Sequence, residues 1–158
     1  MDDNSTIQSN NRSDMIELTI PCKSEYVGVV RLTVSGIASR MAFSYDDIED
    51  VKVAVGEACI NAIKHAYPSS VKKEIEDNKI LIRCTISPSK IDIFVKDTGV
   101  GFNYSQVNPN QKRDIPPKTG LGIFLMQSLM DSVIYKTELN NGTEVHMTKY
   151  LTNISNVN

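Results

Sequence analysis

The sequence predicts an α+β sandwich in which helices cover one face of a β-sheet. Its β-rich segments follow one another across short turns, as hairpin strands do, whereas its amphipathic segments are grouped apart from them. A chain of 158 residues with 41% hydrophobic and 23% charged residues has the size and composition of one globular domain. We therefore expect one folded domain over residues 15–151, between a disordered N-terminal tail (1–14) and a frayed C-terminal tail (152–158).

The N-terminal half of the domain predicts one strand and two helices. Residues 15–20 alternate in hydrophobicity with the period of a half-buried strand. Residues 25–41 place apolar side chains three and four positions apart, which is the spacing of an amphipathic helix. Ser44 is a suitable N-cap for a second, longer helix, because acidic residues follow it in the first turn. This second helix can continue to Tyr67, where Pro68 ends it.

The C-terminal half predicts two hairpins with a third helix between them. Ser87-Pro88-Ser89 has the composition of a turn, and Asn140-Asn141-Gly142 tolerates the positive φ of a tight reversal. A loop over residues 103–118, rich in Asn, Pro and Lys, precedes the third helix. The predicted strands are 79–86, 90–96, 133–139 and 143–150, and the predicted helix is 123–130.

Charge and cysteine content exclude several classes of function. Seventeen Lys and Arg against nineteen Asp and Glu give a net charge of -2, so direct binding to nucleic acid is not expected. The three cysteines lie far apart without a CxxC pair, which favours reduced thiols and a cytoplasmic location over a disulfide framework or a zinc site. The N-terminus lacks the features of a secretory signal, and no apolar run approaches the ~18 residues of a membrane span.

The second helix carries a polar flank beside its apolar stripe. Glu57, Asn61 and either Lys64 or His65 recur at a spacing of about four residues, which aligns them on one side of a helix. A carboxylate and an amide held there are suited to act as a base and as an oxygen ligand for Mg²⁺. The alternative interpretation of this pattern is a plain solvated helix face.

The segment Val95–Phe102 runs from an apolar strand into an acidic residue and two glycines. Gly99 and Gly101 permit the backbone to approach a flat ligand closely, and Asp97 can accept a hydrogen bond from an exocyclic amine such as that of adenine. A motif of this length also occurs in ordinary turns at strand ends, so this alternative stays open.

A third motif, Lys118-Thr119-Gly120-Leu121-Gly122-Ile123, places glycines immediately before the third helix. The first amides of a helix lack intrahelical partners and bind phosphate, and Lys118 adds a positive charge at the edge. A simple helix cap is the alternative for this motif alone. The Walker and dinucleotide patterns GxxxxGK[ST] and GxGxxG are both absent from the sequence.

Taken in order, these motifs resemble the N, G1 and G2 boxes of the GHKL ATPases. The motifs that resemble these boxes are ExxxN in GEACINAIKHAY, DTGVGF and TGLGIFLM. The stretches SEYVGVVRLTVSGIASRM, YDDIEDVKVAVGEAC, LMDSV and MTKYL make the chain most similar to the anti-sigma-B factor serine kinases. The resemblance covers nearly all of residues 15–151.

The resemblance implies a Bergerat-type two-layer sandwich with a mixed, mainly antiparallel sheet. It also implies ATP and Mg²⁺ as cofactors and phosphorylation of a serine on an anti-sigma factor antagonist. A homodimer that sequesters a sigma-B-type sigma factor in the cytoplasm is implied as well. By analogy with the family, Glu57 is the catalytic base, Asn61 the Mg²⁺ ligand and Asp97 the adenine anchor. The further ATP contacts expected from it are Lys64, Gly99, Gly101, Lys118, Thr119, Gly120, Leu121, Gly122, Ile123 and Thr143.

Two features of this chain leave alternatives open. Gly56 stands where family members carry a serine before the glutamate, and the loop 103–118, the expected lid over the phosphates, is short. A switch that binds nucleotide without transferring phosphate is therefore one alternative to the kinase, and an interaction domain without nucleotide is another. Arg31 on the first helix is either a simple surface charge or part of the face that meets partner proteins.

Overall fold

The computed structural model describes residues 12–66, 78–100 and 120–152, in which five strands and three α-helices follow in the predicted order. The elements are β1 (Asp14–Pro21), a 3₁₀ turn (Ser24–Tyr26), α1 (Val27–Arg40), α2 (Tyr45–His65), β2 (Lys79–Ile86), β3 (Lys90–Asp97), α3 (Gly120–Leu129), β4 (Ser132–Glu138) and β5 (Gly142–Tyr150). The predicted strands and helices are confirmed, and their ends differ from the predicted ones by at most three residues.

The five strands form one sheet in the order β1-β2-β3-β5-β4. Every pairing within the described ranges is antiparallel, and the hairpins β2–β3 and β4–β5 are those expected from the sequence. Residues alternate between the two faces of a strand, so one face of β3 consists of Ile91, Ile93 and Val95, all buried. The helices cover this face, and their apolar stripes complete one core. The α+β sandwich is confirmed.

Helix α2 has the start that the sequence predicts. The Ser44 side chain accepts a hydrogen bond from the Asp47 backbone N–H at 3.1 Å, and its own hydroxyl donates to Asp47 Oδ2 at 2.7 Å. Buried residues of α2 recur on one side, among them Val51, Val55 and Cys59. The helix ends at His65, whereas the predicted end, Tyr67, lies outside the described residues.

Helix α3 begins earlier than predicted. The sequence places its start at Ile123, behind the glycines, but Gly120 and Gly122 already belong to the first helical turn. The spacing of apolar residues predicts which side chains of a helix are buried. It does not indicate helical residues that precede the first buried side chain. At the other end of α3, Lys149 Nζ donates to the Leu129 carbonyl at 2.7 Å and ties α3 to the last strand.

Two turns use backbone with positive φ. Asn140 (φ 63°) and Gly142 (φ 81°) form the predicted reversal between β4 and β5. Ala42 (φ 60°) joins α1 to α2 in the same left-handed conformation, which no sequence pattern indicates for an alanine.

The three cysteines are free thiols, as the sequence predicts. Burial raises the pKa of Cys59 to about 12 and that of Cys84 to about 11, so both stay protonated at neutral pH. No helix in the described ranges combines the length and the apolar character that a bilayer span requires.

Candidate active site

The first part of the site is built around Asp97, the last residue of β3. Its side chain is buried, and its Oδ1 accepts hydrogen bonds from the Gly99 N–H at 2.9 Å and the Thr143 N–H at 3.3 Å. Burial raises the pKa of this carboxyl, and the two backbone donors offset the rise only in part. Both of these bonds end on Oδ1, and no other residue in the described part of the chain bonds to Oδ2, so we expect Oδ2 to be the oxygen that meets a ligand.

Glycines allow three backbone segments to converge on this carboxylate. A Cβ on Gly99 would lie 2.1 Å from the Ala66 carbonyl oxygen, and a Cβ on Gly142 would lie 2.1 Å from the carbonyl oxygen of Asp97. Gly142 also has the φ of +81° that other residues rarely adopt. The end of α2, the exit of β3 and the start of β5 thereby meet at backbone distance. Hydrogen bonds from the Val100 N–H to Ala66 O (2.9 Å) and from the Asn140 N–H to Val100 O (2.7 Å) hold the convergence together.

The second part of the site lies where the first turn of α3 meets α2. A Cβ on Gly122 would approach Glu57 Oε2 to 2.9 Å and both amide atoms of Asn61 to 3.4 Å. Glu57 and Asn61 are half-buried and lie four residues apart on the same side of α2. The structure therefore brings together three predicted site residues from two separate motifs. It places a carboxylate and an amide beside the N-terminal turn of a helix.

Helix α2 connects the two parts. Ala66, which contacts Gly99, directly follows the helix that carries Glu57 and Asn61. At a rise of 1.5 Å per residue, Glu57 and Ala66 are about 14 Å apart along the axis. The stretch of α2 from Glu57 to Ala66 therefore connects the end of the site suited to a metal ion and phosphates with the end suited to a nucleobase.

Other predicted residues vary in their placement. Lys64 is exposed in the last turn of α2, Leu121 is 73% exposed at the start of α3, and Ile123 is half-buried against the core. Thr143 lies at the Asp97 end, as its backbone bond shows, and its hydroxyl donates to Thr137 Oγ1 at 3.2 Å. The predictions for Gly101, Lys118, Thr119 and the loop 103–118 lie outside the described residues.

Arg31 packs between α1 and α2, which differs from a simple surface charge. A Cβ on Gly56 would lie 2.3 Å from Arg31 Nε and 2.5 Å from Nη2, so the glycine provides the space that the guanidinium fills. The Nε is buried and has no hydrogen-bond partner among the residues described. Gly56 therefore has a packing role, in addition to the cost in helix propensity that the sequence indicates.

Sequence reasoning missed one residue of the site, Tyr135 of β4. Its hydroxyl donates to Met126 Sδ at 3.7 Å, and the Asn61 side chain is among the groups that affect its pKa. Burial raises the pKa of Tyr135 far above its ordinary value, and the Asn61 side chain opposes this only partly. The alternation of β4 places Tyr135 on the core face with Val133, but no motif indicates that it lies near Asn61.

The oxygen atoms at the α2–α3 contact suit Mg²⁺. Mg²⁺ is usually held by one or two protein oxygen ligands together with substrate phosphates and water. Glu57 and Asn61 supply a carboxylate and an amide oxygen beside the gap that Gly122 leaves open. Within the described ranges no cluster of three or more His, Cys, Asp or Glu forms a metal site by itself, and a site completed by nucleotide phosphates does not require one.

Comparison with known proteins agrees with this geometry. Residues 20–149 match the family model of the histidine kinase-like ATPase domain. The serine-protein kinase RsbW of Bacillus pumilus strain SAFR-032 is 42% identical over 153 residues, which are 90% of this chain and 89% of that protein. The serine-protein kinase RsbW of Bacillus subtilis strain 168 is 41% identical over 148 residues, with 89% and 88% covered.

Two solved structures share the fold at low sequence identity. The RsbU and RsbW domains of Rv1364c from Mycobacterium tuberculosis superpose with a TM-score of 0.62 and 15% identity over 86% of this chain. The histidine kinase domain of the Erythrobacter litoralis blue-light activated kinase EL346 superposes with a TM-score of 0.53 and 18% sequence identity over 84% of this chain. This chain spans 32% of the first and 62% of the second, and these likenesses concern the fold alone.

Proposed function

The chain belongs to the RsbW-type serine-protein kinases of the histidine kinase-like ATPase family, and we propose that its substrate is an anti-sigma factor antagonist. In this proposal it transfers phosphate from Mg-ATP to a serine of the antagonist. It also holds a sigma-B-type sigma factor inactive, as a homodimer in the cytoplasm. The observation that carries the kinase activity is the contact of Gly122 with Glu57 and Asn61.

The proposed reaction divides the work between the two parts of the site. At the Asp97 end, the Oδ2 oxygen accepts a hydrogen bond from the exocyclic amine of adenine, which orients the nucleotide. At the Glu57 end, the unpaired amides of the first turn of α3 bind phosphate. Asn61 would hold Mg²⁺, which would supply the positive charge that neutralises the phosphates.

Glu57 is the proposed general base. The serine oxygen of the antagonist attacks the γ-phosphorus, the bond to the leaving ADP oxygen breaks, and the serine proton passes to the Glu57 carboxylate. The long, well-capped helix fixes the backbone position from which Glu57 presents its carboxylate, as such a role requires.

Helix α1 is the proposed partner surface. Val29 and Leu32 lie three residues apart on it and are 46% and 75% exposed, and Arg31 stands between them in sequence. Large apolar side chains exposed together are typical of surfaces that bind other proteins. Arg31 is the candidate partner-binding residue of this surface. Because it is half-buried, only part of its side chain can contact a partner, at the edge of the surface.

The test is phosphate transfer to the antagonist, followed by intact mass of the antagonist in the presence of Mg-ATP. Glu57→Gln is expected to lower the transfer rate by roughly 10²–10⁴-fold while ATP still binds, since a general base contributes about that much. Glu49→Gln is the matched control, because Glu49 lies on the same helix and pairs with Lys52. Equal rates for Glu57→Gln and the wild type would contradict the assignment of the base. ATP binding without any transfer by the wild type would identify a nucleotide-gated binding switch instead.

A further inference from the structure

Gly56 of α2 leaves a gap that the guanidinium group of Arg31 fills. A Cβ on Gly56 would lie 2.3 Å from Nε, 2.5 Å from Nη2 and 2.8 Å from Cζ of Arg31. Non-bonded heavy atoms attract one another at about 3.5–4.0 Å and repel at distances as short as these. Any residue other than glycine at this position would therefore displace the guanidinium from α2.

Shape, and not charge pairing, sets the position of Arg31 against α2. Within the described ranges, ion pairs such as that of Arg83 with Glu17 at 2.6 Å occur elsewhere, but none includes Arg31. Its buried Nε has no hydrogen-bond partner among the same residues. The fold thus holds a guanidinium group close to α2 without giving it an anionic partner from the described part of the chain. Such a group is suited to bind an anionic group of another molecule.

Arg31 lies beside the exposed apolar side chains of Val29 and Leu32 on α1. It is half-buried, so part of its side chain stays accessible at the edge of this surface. A guanidinium group is a planar fork that meets a carboxylate through two parallel hydrogen bonds, and the angle of approach must fit. The direction in which Arg31 is held therefore decides which anionic groups of a partner it can meet.

We propose that Gly56 is a positioning residue for partner binding and that it acts through Arg31. By lacking a side chain, Gly56 lets the guanidinium lie in one place at the edge of the α1 surface before a partner arrives. Ordering one flexible side chain on binding costs about two- to tenfold in affinity, and a side chain that is already held avoids this cost. The inference rests on the proposed function, in which the α1 surface binds a sigma-B-type sigma factor.

Gly56→Ala adds only the methyl group that would meet the guanidinium. The fold should tolerate it, because the nearest atoms belong to the end of a flexible side chain and because alanine favours a helix interior over glycine. We expect Gly56→Ala to bind the purified sigma factor about two- to tenfold more weakly than the wild type. Arg31→Lys keeps the charge but lacks the planar fork, and we expect a loss of similar size.

The measurement is a double-mutant cycle on the affinity for the sigma factor, by calorimetric titration of the wild type, Gly56→Ala, Arg31→Ala and the double variant. In Arg31→Ala the group that the methyl would displace is absent, so the addition of Gly56→Ala should leave the affinity unchanged. Titration with a non-hydrolysable ATP analogue and thermal unfolding check that each variant keeps its site and its fold. A loss on Gly56→Ala that requires Arg31 supports the inference.

Three results would overturn it. Unchanged affinity of Gly56→Ala in the presence of Arg31 would show that the position of the guanidinium does not matter. An equal loss with and without Arg31 would assign the effect to α2 itself. Binding of Arg31→Lys equal to that of the wild type would show that a positive charge alone suffices. Failure of the proposed function is a distinct outcome, in which the wild type itself does not bind the sigma factor, and the inference would fail with it.

Discussion

Strand β3 carries two buried carboxylates that face opposite sides of the sheet and are compensated in different ways. Asp92, on the face without helices, accepts bonds from Thr148 Oγ1 at 2.6 Å and from His146 Nε2 at 3.0 Å, and pairs with Lys90 Nζ at 2.7 Å. Asp97, on the helix side, has only two donors among the residues that the structure describes; both are backbone N–H groups, and both reach Oδ1.

This difference shows in their ionisation. Burial alone would raise the pKa of both groups. At Asp92 the bonds from Lys90, Thr148 and His146 outweigh burial, and the pKa lies below its ordinary value. At Asp97 burial outweighs the two backbone bonds, and the pKa lies above it. Asp92 is fully partnered by side chains, whereas Asp97 has fewer donors among the described residues, which is typical of a carboxylate that binds a ligand.

The largest expected effect concerns the backbone that surrounds Asp97. Gly142→Ala forces a Cβ toward the Asp97 carbonyl at a residue with left-handed φ, and we expect it to lower the free energy of unfolding by about 2–5 kcal/mol. Gly36→Ala is the control, since its Cβ would meet nothing within 4 Å on an exposed face of α1 and should add up to ~1 kcal/mol. Urea unfolding of both variants checks this. Similar values for the two would mean that the convergence at Asp97 is not tightly packed.

The next effect compares the two carboxylates directly. Asp92→Asn removes the charge from a fully partnered network, and we expect a loss of about 1–3 kcal/mol of stability. Asp97→Asn removes a charge that burial penalises, while its amide oxygen can still accept both backbone bonds, so stability should stay equal or rise. Chemical denaturation of the two variants measures this. A clear loss of stability for Asp97→Asn would contradict the view that this charge is maintained for binding.

The smallest effect is on the pH dependence of stability, where the two groups act with opposite signs. Between the ordinary carboxyl pKa of 3.8 and the raised pKa of Asp97, the folded chain binds more protons than the unfolded chain, so this group lowers stability as pH rises through that window. Asp92 contributes stability above 3.8, which is lost as pH falls through its lowered pKa. In denaturation curves recorded across acidic pH, Asp97→Asn should remove the loss of stability with rising pH, and Asp92→Asn should remove the loss of stability with falling pH. Identical pH profiles of stability for both variants would contradict the opposite signs expected for the two carboxylates.

The sequence predicts the order of elements well because each of them has a local cause. The cap at Ser44, the β-rich composition of β3 and the turn at Asn140 act within a few residues of chain, and the structure confirms all three. The start of α3 was predicted too late because the glycines of its first turn bury no side chain, so they add nothing to the apolar pattern. The left-handed alanine at position 42 was missed because alanine is not a residue type that indicates positive φ.

The candidate site was predictable as far as its motifs extend. The motifs place Glu57 and Asn61 along one side of α2, Asp97 at the end of β3 and Gly122 in the first turn of α3, and the resemblance to a family implied their roles. The proximity of Tyr135 to Asn61 and the contact of Arg31 with Gly56 join segments far apart in the chain. Such contacts depend on register and packing that one sequence does not reveal.

The proposed role of Asp97 is to accept a hydrogen bond from the exocyclic amine of adenine on Oδ2, the oxygen that Gly99 and Thr143 do not bond. The most direct measurement is the affinity of the wild type and of Asp97→Asn for ATP and for purine riboside triphosphate, which lacks that amine. We expect the wild type to prefer ATP by about 10–100-fold, the value of one hydrogen bond to a charged group. In Asp97→Asn the backbone bonds retain the amide oxygen and turn its NH₂ group toward the ligand, so most of this preference should disappear. Equal binding of the two nucleotides by the wild type, or an unchanged preference in the variant, would contradict the account.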